Sequence, residues 1–150
     1  MASFLETLAL IERLHRLLLD VIKDEFERLG WVDINSVQAL LLFNIGSEEV
    51  TAGDLKARGY YQGSNVSYNL KKLVEAGYLN HNRCKADRRS VRISLTQKGE
   101  EIRDLVNDIF EGQYRRLREG PFETDAEFLA LNGRMRHLEV FWRQSIRFIY

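Results

Sequence analysis

Residues 63–95 read GSNVSYNLKKLVEAGYLNHNRCKADRRSVRISL, and the hydrophobic period changes partway along. In the first half Val66, Leu70, Leu73 and Val74 recur at helical spacing and share one face. Ser64, Asn65, Ser67, Tyr68, Lys71, Lys72 and Glu75 occupy the remainder, which predicts a helix over 63–76. Gly77 suits the left-handed residue that closes such a helix. Beyond it, 78–84 reads as a strand. Residues 90–95 alternate cleanly, with Val91, Ile93 and Leu95 on one side. The five residues between the strands, 85–89, fit a hairpin connection. A polar-faced helix leading into a hairpin with a basic tip is the second half of a winged helix-turn-helix.

Upstream, Thr51-Ala52-Gly53-Asp54 is a helix-start signature. It opens a helix of about two turns that runs to Arg58 and stops at Gly59. Tyr60-Tyr61-Gln62-Gly63 supplies the tight turn, so two helices and a turn precede the hairpin. Asn35-Ser36-Val37-Gln38 has the pattern of a capping box. The helix it starts carries Val37, Leu40, Leu41, Leu42, Phe43 and Ile45 and ends at Gly46. It is apolar nearly all round and is expected at the centre of the core.

Residues 4–29 form a long amphipathic helix through Phe4, Leu8, Ile11, Leu14, Leu18, Val21, Ile22 and Leu29. Leu5 and Leu17 widen this stripe beyond what one packing contact demands, which points to a second buried surface such as a subunit interface. Downstream, Thr96 caps a helix over 97–118 with Ile102, Leu105, Val106, Ile109, Phe110 and Leu117 on its stripe. Gly120-Pro121 breaks the chain. Thr124 or Asp125 then opens a last helix bearing Phe128, Leu131, Met135, Leu138, Phe141, Trp142, Ile146 and Ile149. The expected fold is mainly α with a small β-hairpin wing. It is one domain over 1–150: a winged helix-turn-helix core at 34–95 flanked by long dimerisation helices in 1–30 and 97–150.

Composition narrows the function classes. The 150 residues are 45% hydrophobic and 29% charged, as in an ordinary globular protein, which excludes disordered, collagen-like and low-complexity chains. No run approaches the roughly 18 apolar residues of a membrane span, so no membrane role is expected. The opening Met1-Ala2-Ser3-Phe4-Leu5-Glu6 lacks the basic and apolar regions of a secretory signal. A single cysteine, Cys84, excludes an intramolecular disulfide and a multi-cysteine zinc site. Together these favour a reducing, cytoplasmic setting. His15, His81 and His137 have no partner at metal-ligand spacing, and no phosphate loop, nucleophile elbow or zincin motif occurs. Neither an enzyme nor a cofactor or metal is expected.

The formal net charge is zero, but it is unevenly spread. Residues 51–92 hold nine cations and three acids, a net of +6, and the remainder carries −6. The major groove of duplex DNA is about 12 Å wide and admits one α-helix. The hydroxyls, amides and lysines on the polar side of 64–75 match base edges and phosphates. The hairpin tip contributes Arg83, Lys85, Arg88 and Arg89, and arginine at a loop tip fits the negative potential of a narrow minor groove. Asp87, two positions before Arg89, is placed to orient that guanidinium. Cys84 between Arg83 and Lys85 sits in a basic setting that favours a thiolate, though the same residue also reads as an ordinary strand cysteine.

The segment Gly63-Ser64-Asn65-Val66-Ser67-Tyr68-Asn69-Leu70, then Leu73-Val74-Glu75-Ala76-Gly77-Tyr78-Leu79, is similar to the recognition helix and exit turn of the MarR family of transcriptional regulators. Asp87-Arg88-Arg89-Ser90 followed by Leu95-Thr96-Gln97-Lys98-Gly99 resembles that family's wing-and-helix signature. Gln62-Gly63 stands where the family more often has Ser-Pro. The resemblance runs closely over 34–103 and implies an obligate homodimer on pseudo-palindromic double-stranded DNA. It implies Arg89 as the minor-groove arginine, Asp87 as its partner, and Ser64, Asn65, Ser67, Tyr68 and Lys71 toward the major groove. It also implies a cleft for a small-molecule effector, for which His15, Trp31, Phe43 and Tyr60 are the aromatic candidates. The expected function is a homodimeric regulator acting most simply by occluding a promoter. The competing reading is a winged-helix module that docks an acidic protein partner through the same basic face.

Overall fold

The computed structural model describes residues 1–58, 63–83 and 91–146, with only the backbone of Gly63 and Ser64. The elements are α1 (Ala2–Arg28), α2 (Ser36–Ile45), β1 (Val50–Thr51), α3 (Ala52–Ala57), α4 (Gly63–Glu75), β2 (Leu79–Arg83), β3 (Val91–Leu95), α5 (Gln97–Arg118) and α6 (Asp125–Ser145). They divide into two compact units, 1–109 and 110–150.

Local sequence sets the starts of the helices. At α2 the Asn35 side chain accepts from the Gln38 N–H at 2.8 Å, and the Gln38 side chain accepts from the Asn35 N–H at 3.2 Å. The reciprocal pair recurs at α3 between Thr51 and Asp54, at 3.0 and 2.7 Å. Each box satisfies two amides that the first turn leaves without helical partners. At α6 the Thr124 N–H donates to Glu127 Oε2 at 2.9 Å.

The first unit is built around α2, whose Ala39, Leu41, Leu42 and Ile45 are buried, as its all-round apolar sequence predicts. α1 contributes only Ile22 and Phe26 to this core. Leu55 of α3, Val66, Leu70 and Leu73 of α4, and Ile102, Val106 and Ile109 of α5 complete it with Ile34, Val50, Tyr78, Leu79 and Ile93. Each fully buried aliphatic side chain contributes about 1.5–3 kcal/mol relative to exposure.

The sheet is antiparallel in the order β1-β3-β2. β2 and β3 form the expected hairpin, registered Leu79 opposite Leu95, His81 opposite Ile93 and Arg83 opposite Val91. β1 is an addition to the sequence reading: Val50 pairs with Ile93 and Thr51 with Arg92. Two residues are too few for an alternation to register.

α1 leaves much of its apolar stripe in solvent, with Leu14 57% and Leu17 56% exposed. In the second unit the turn between α5 and α6 is closed by stacked Phe122 and Phe128, 4.4 Å between centroids. Asp125 accepts there from Tyr114 Oη and from Arg118, each at 2.8 Å. α6 itself buries no residue, and Leu129, Leu131, Met135, Val140 and Phe141 are exposed.

Candidate nucleic-acid interface

α4 presents two chemically distinct sides. Val66, Leu70 and Leu73 are buried, which anchors the helix and turns Asn65, Ser67, Tyr68, Lys71 and Lys72 outward. Tyr68 is 61% exposed. The Asn69 amide is spent within the helix, donating to Asn65 O at 2.9 Å. Glu75 is the acid at the C-terminal end of this face. Its two carboxylate oxygens hold Lys71 at 3.9 Å and Lys72 at 3.6 Å. Lys72 also lies 5.8 Å from the Tyr68 ring centre.

The hairpin lies beside this helix. Ser67, Leu70, Lys71, Val74 and Glu75 on one side and His81, Val91 and Ile93 on the other line a groove of about 310 Å³, with Ala52 closing it. Ser67, Lys71 and Glu75 of α4 therefore share this groove with the stems of the hairpin strands. Arg83 ends β2 and is exposed. Cys84, Lys85, Asp87, Arg88 and Arg89 lie outside the described residues, as does Tyr60. Two further cations of the basic segment are matched locally, Arg58 by Glu48 and Arg92 by Glu49, each at 3.7 Å.

The exit of α4 is built tightly. Gly77, at φ +81°, closes the helix; its N–H donates to Val74 O at 3.0 Å and the Tyr78 N–H to Leu73 O at 2.9 Å. Thr96 caps α5 by accepting from the Gly99 N–H at 3.1 Å, and its hydroxyl donates to Gly77 O at 2.7 Å. Gly99 packs against the Tyr78 carbonyl so closely that a Cβ there would run into its oxygen.

Sequence reasoning missed a cluster here. Tyr78 Oη donates to Asp33 Oδ2 at 2.9 Å, and Lys98 Nζ lies 3.4 Å from the same oxygen. The Tyr78 hydroxyl hydrogen bond, aided by Lys98, holds the Asp33 carboxyl below the usual carboxylate range. Burial, with Asp33 adding to it, pushes the Tyr78 phenol well above its ordinary value. Asp54 is also lowered, chiefly by the Thr51 N–H it accepts from. Asp33 stands 45 residues from Tyr78 and 65 from Lys98, so no local pattern announces the group.

The candidate effector residues are dispersed in environment. His15 is exposed on α1, and Trp31 and Phe43 are half-buried. Among the described residues, none of these three lines the groove beside α4. Among the described residues no group of three His, Cys, Asp or Glu is placed to hold a metal, and no helix is long and apolar enough to cross a membrane.

A helix-turn-helix, an adjoining hairpin and an outward polar helix face together define a winged-helix DNA-binding protein. Comparison with known proteins carries this further. The winged helix DNA-binding domain family matches residues 34–99. The exopolysaccharide II synthesis transcriptional activator ExpG of Rhizobium meliloti is 32% identical over 149 residues, which span 99% of this chain and 76% of that protein. Streptococcus pneumoniae FabT in complex with DNA superposes with a TM-score of 0.74 at 19% identity, over 95% of this chain and 99% of that one. A mutant MarR of E. coli complexed with operator DNA gives 0.71 at 20% identity, over 91% and 95%. The chain belongs to the MarR family of winged-helix transcriptional regulators.

Proposed function

We propose that this regulator acts as a homodimer on a pseudo-palindromic duplex operator, each copy placing α4 in the major groove and its hairpin tip in the adjacent minor groove. One observation carries the reading: α4 buries its apolar side and turns Asn65, Ser67, Tyr68, Lys71 and Lys72 outward, with Ser67 and Lys71 lining a groove shared with the hairpin strands. Ser64 extends that face at its amino-terminal end. Arg83, Lys85, Arg88 and Arg89 supply the minor-groove cations, with Asp87 orienting Arg89. The exposed apolar residues of α1, and separately those of α6, support a second copy as their cover. A two-fold dimer then reads half-sites about one helical turn apart.

The domain assignment follows the same division of labour, with 34–95 as the reading head and 1–30 and 97–150 as the dimerising helices. Repression by promoter occlusion is the simplest output, although the Rhizobium meliloti relative is named an activator. A reporter placed behind the chain's own operator separates the two by whether deletion raises or lowers expression. A small-molecule effector near His15, Trp31, Phe43 and Tyr60 would shift operator affinity by at most its differential affinity for the two spacings of the heads. The chemistry is that of a binding protein in the cytoplasm, with no cofactor and no reaction.

The test is equilibrium binding to a duplex enriched by the protein from a random library, against a scrambled duplex of equal length. Affinity should fall with salt at a log–log slope of about −0.9 per neutralised phosphate. The selected duplex should bind about a thousandfold more tightly than the scrambled one. Equal affinity for both duplexes would instead favour docking of an acidic protein on the basic face.

A further inference from the structure

We infer that Asp33, Tyr78 and Lys98 are positioning residues for DNA recognition, which set the direction of α4 by clamping its exit to the first turn of α5. The inference rests on the DNA-binding reading and adds residues that touch no DNA.

Three consecutive carbonyls leave the C-terminal end of α4, and residues 96–98 receive all of them. Ala76 O accepts from Lys98 Nζ at 3.2 Å, Gly77 O from the Thr96 hydroxyl at 2.7 Å, and Tyr78 O from the Thr96 N–H at 3.1 Å. Lys98 does more than cap. Its ammonium sits 4.2 Å above the centre of the Tyr78 ring and 3.4 Å from Asp33 Oδ2. The Tyr78 ring is fully buried, and its hydroxyl donates to that same Asp33 oxygen at 2.9 Å. One carboxylate oxygen from the α1–α2 connection thus gathers a phenol from the exit of α4 and an ammonium from the start of α5. Charge-assisted hydrogen bonds of this kind hold geometry more strictly than neutral ones.

The lever explains why this matters for sequence reading. α4 has 13 residues and is about 18–20 Å long at 1.5 Å per residue. A tilt of about 3° at the clamped end moves the far end by about 1 Å, enough to spoil a hydrogen bond to a base edge. Asn65, Ser67 and Tyr68 sit toward that far end. Attraction to phosphates falls slowly with distance, so the same tilt leaves sequence-independent binding nearly untouched.

The test compares wild type with Tyr78→Phe, Lys98→Met and Asp33→Asn, using the library-selected duplex and its scrambled counterpart. Tyr78→Phe removes one oxygen and keeps the buried ring. Asp33 is exposed, so its substitution leaves the fold intact. Tyr78→Phe and Asp33→Asn are expected to lower the selected-to-scrambled affinity ratio by about tenfold, as loss of one charged hydrogen bond implies, and Lys98→Met, whose ion pair is half-exposed, by about two- to fivefold. Scrambled-duplex affinity and salt slope should stay within about twofold of wild type. Lys98→Arg, which keeps the cation, should recover most of the ratio. A ratio unchanged in all three variants, with or without a lower unfolding temperature, would show a merely structural cluster and overturn the inference. If wild type enriches no sequence from the library, the DNA-binding reading itself fails and the inference falls with it.

Discussion

Replacing Glu75 by Gln should tighten binding to any duplex while leaving sequence preference alone. Glu75 is the acid on the outward face of α4, and it holds Lys71 at 3.9 Å and Lys72 at 3.6 Å. The three side chains are between 49% and 75% exposed, so water screens both pairs. Pairs at this spacing within a helix contribute about 0.3–0.5 kcal/mol each, so the variant should lose no more than about 1 kcal/mol of folding stability. On DNA the balance reverses. A carboxylate about 4 Å from a phosphate costs about 1 kcal/mol in water, and its removal also frees two ammonium groups to meet phosphates. Scrambled-duplex affinity should therefore rise about fivefold near 0.1 M salt, shrinking as the Debye length falls below about 10 Å. Fluorescence anisotropy titrations across a salt series measure this directly, and the selected duplex should gain by the same factor. Scrambled-duplex affinity that is unchanged or weaker at every salt concentration would refute the placement of this face against the phosphate backbone.

Three other perturbations have defined outcomes. Gly99→Ala drives a methyl into the Tyr78 carbonyl oxygen and should cost about 1–3 kcal/mol in denaturant unfolding, against the gain alanine normally brings to a helix. Leu17→Glu places a charge on the exposed apolar stripe of α1 and should shift sedimentation from dimer to monomer without unfolding the chain. Stability should depend on pH at both extremes. Asp33 and Asp54 are lowered, so their contribution is present above the unfolded carboxyl pKa of about 4 and is lost as pH falls through the folded values. The Tyr78 phenol is raised, so its contribution is full below the unfolded value of about 10 and declines as pH rises beyond it; Tyr78→Phe should flatten that alkaline limb.

The legible parts of this fold are those written in local chemistry. Asn35 with Gln38 and Thr51 with Asp54 place two helix starts, because a capping box needs only residues three apart. Val66, Leu70 and Leu73 fix which side of α4 is buried, and so which side faces outward, from helical spacing alone. The hairpin is legible because the alternation of Val91, Ile93 and Leu95 marks one strand and a short connection joins it to the strand before. What escaped the sequence is long-range or brief. β1 is two residues that become a strand only because Ile93 and Arg92 are there to pair with. The Asp33–Tyr78–Lys98 cluster joins three distant positions and has no spacing to reveal it. Broad apolar stripes told where α1 and α6 lie along the chain, but an amphipathic pattern names no partner; that both remain exposed is visible only in three dimensions.

α4 and the hairpin tip should meet the same double helix, twice per dimer. The most direct measurement is tethered-chelate cleavage of the selected duplex, from Glu75→Cys and separately from Ala86→Cys, each in a Cys84→Ser background. Both positions should cut within one half-site, no more than about one helical turn apart, and both patterns should recur in the second half-site. Cleavage from only one of the two positions, or a pattern without the two-fold repeat, would contradict it.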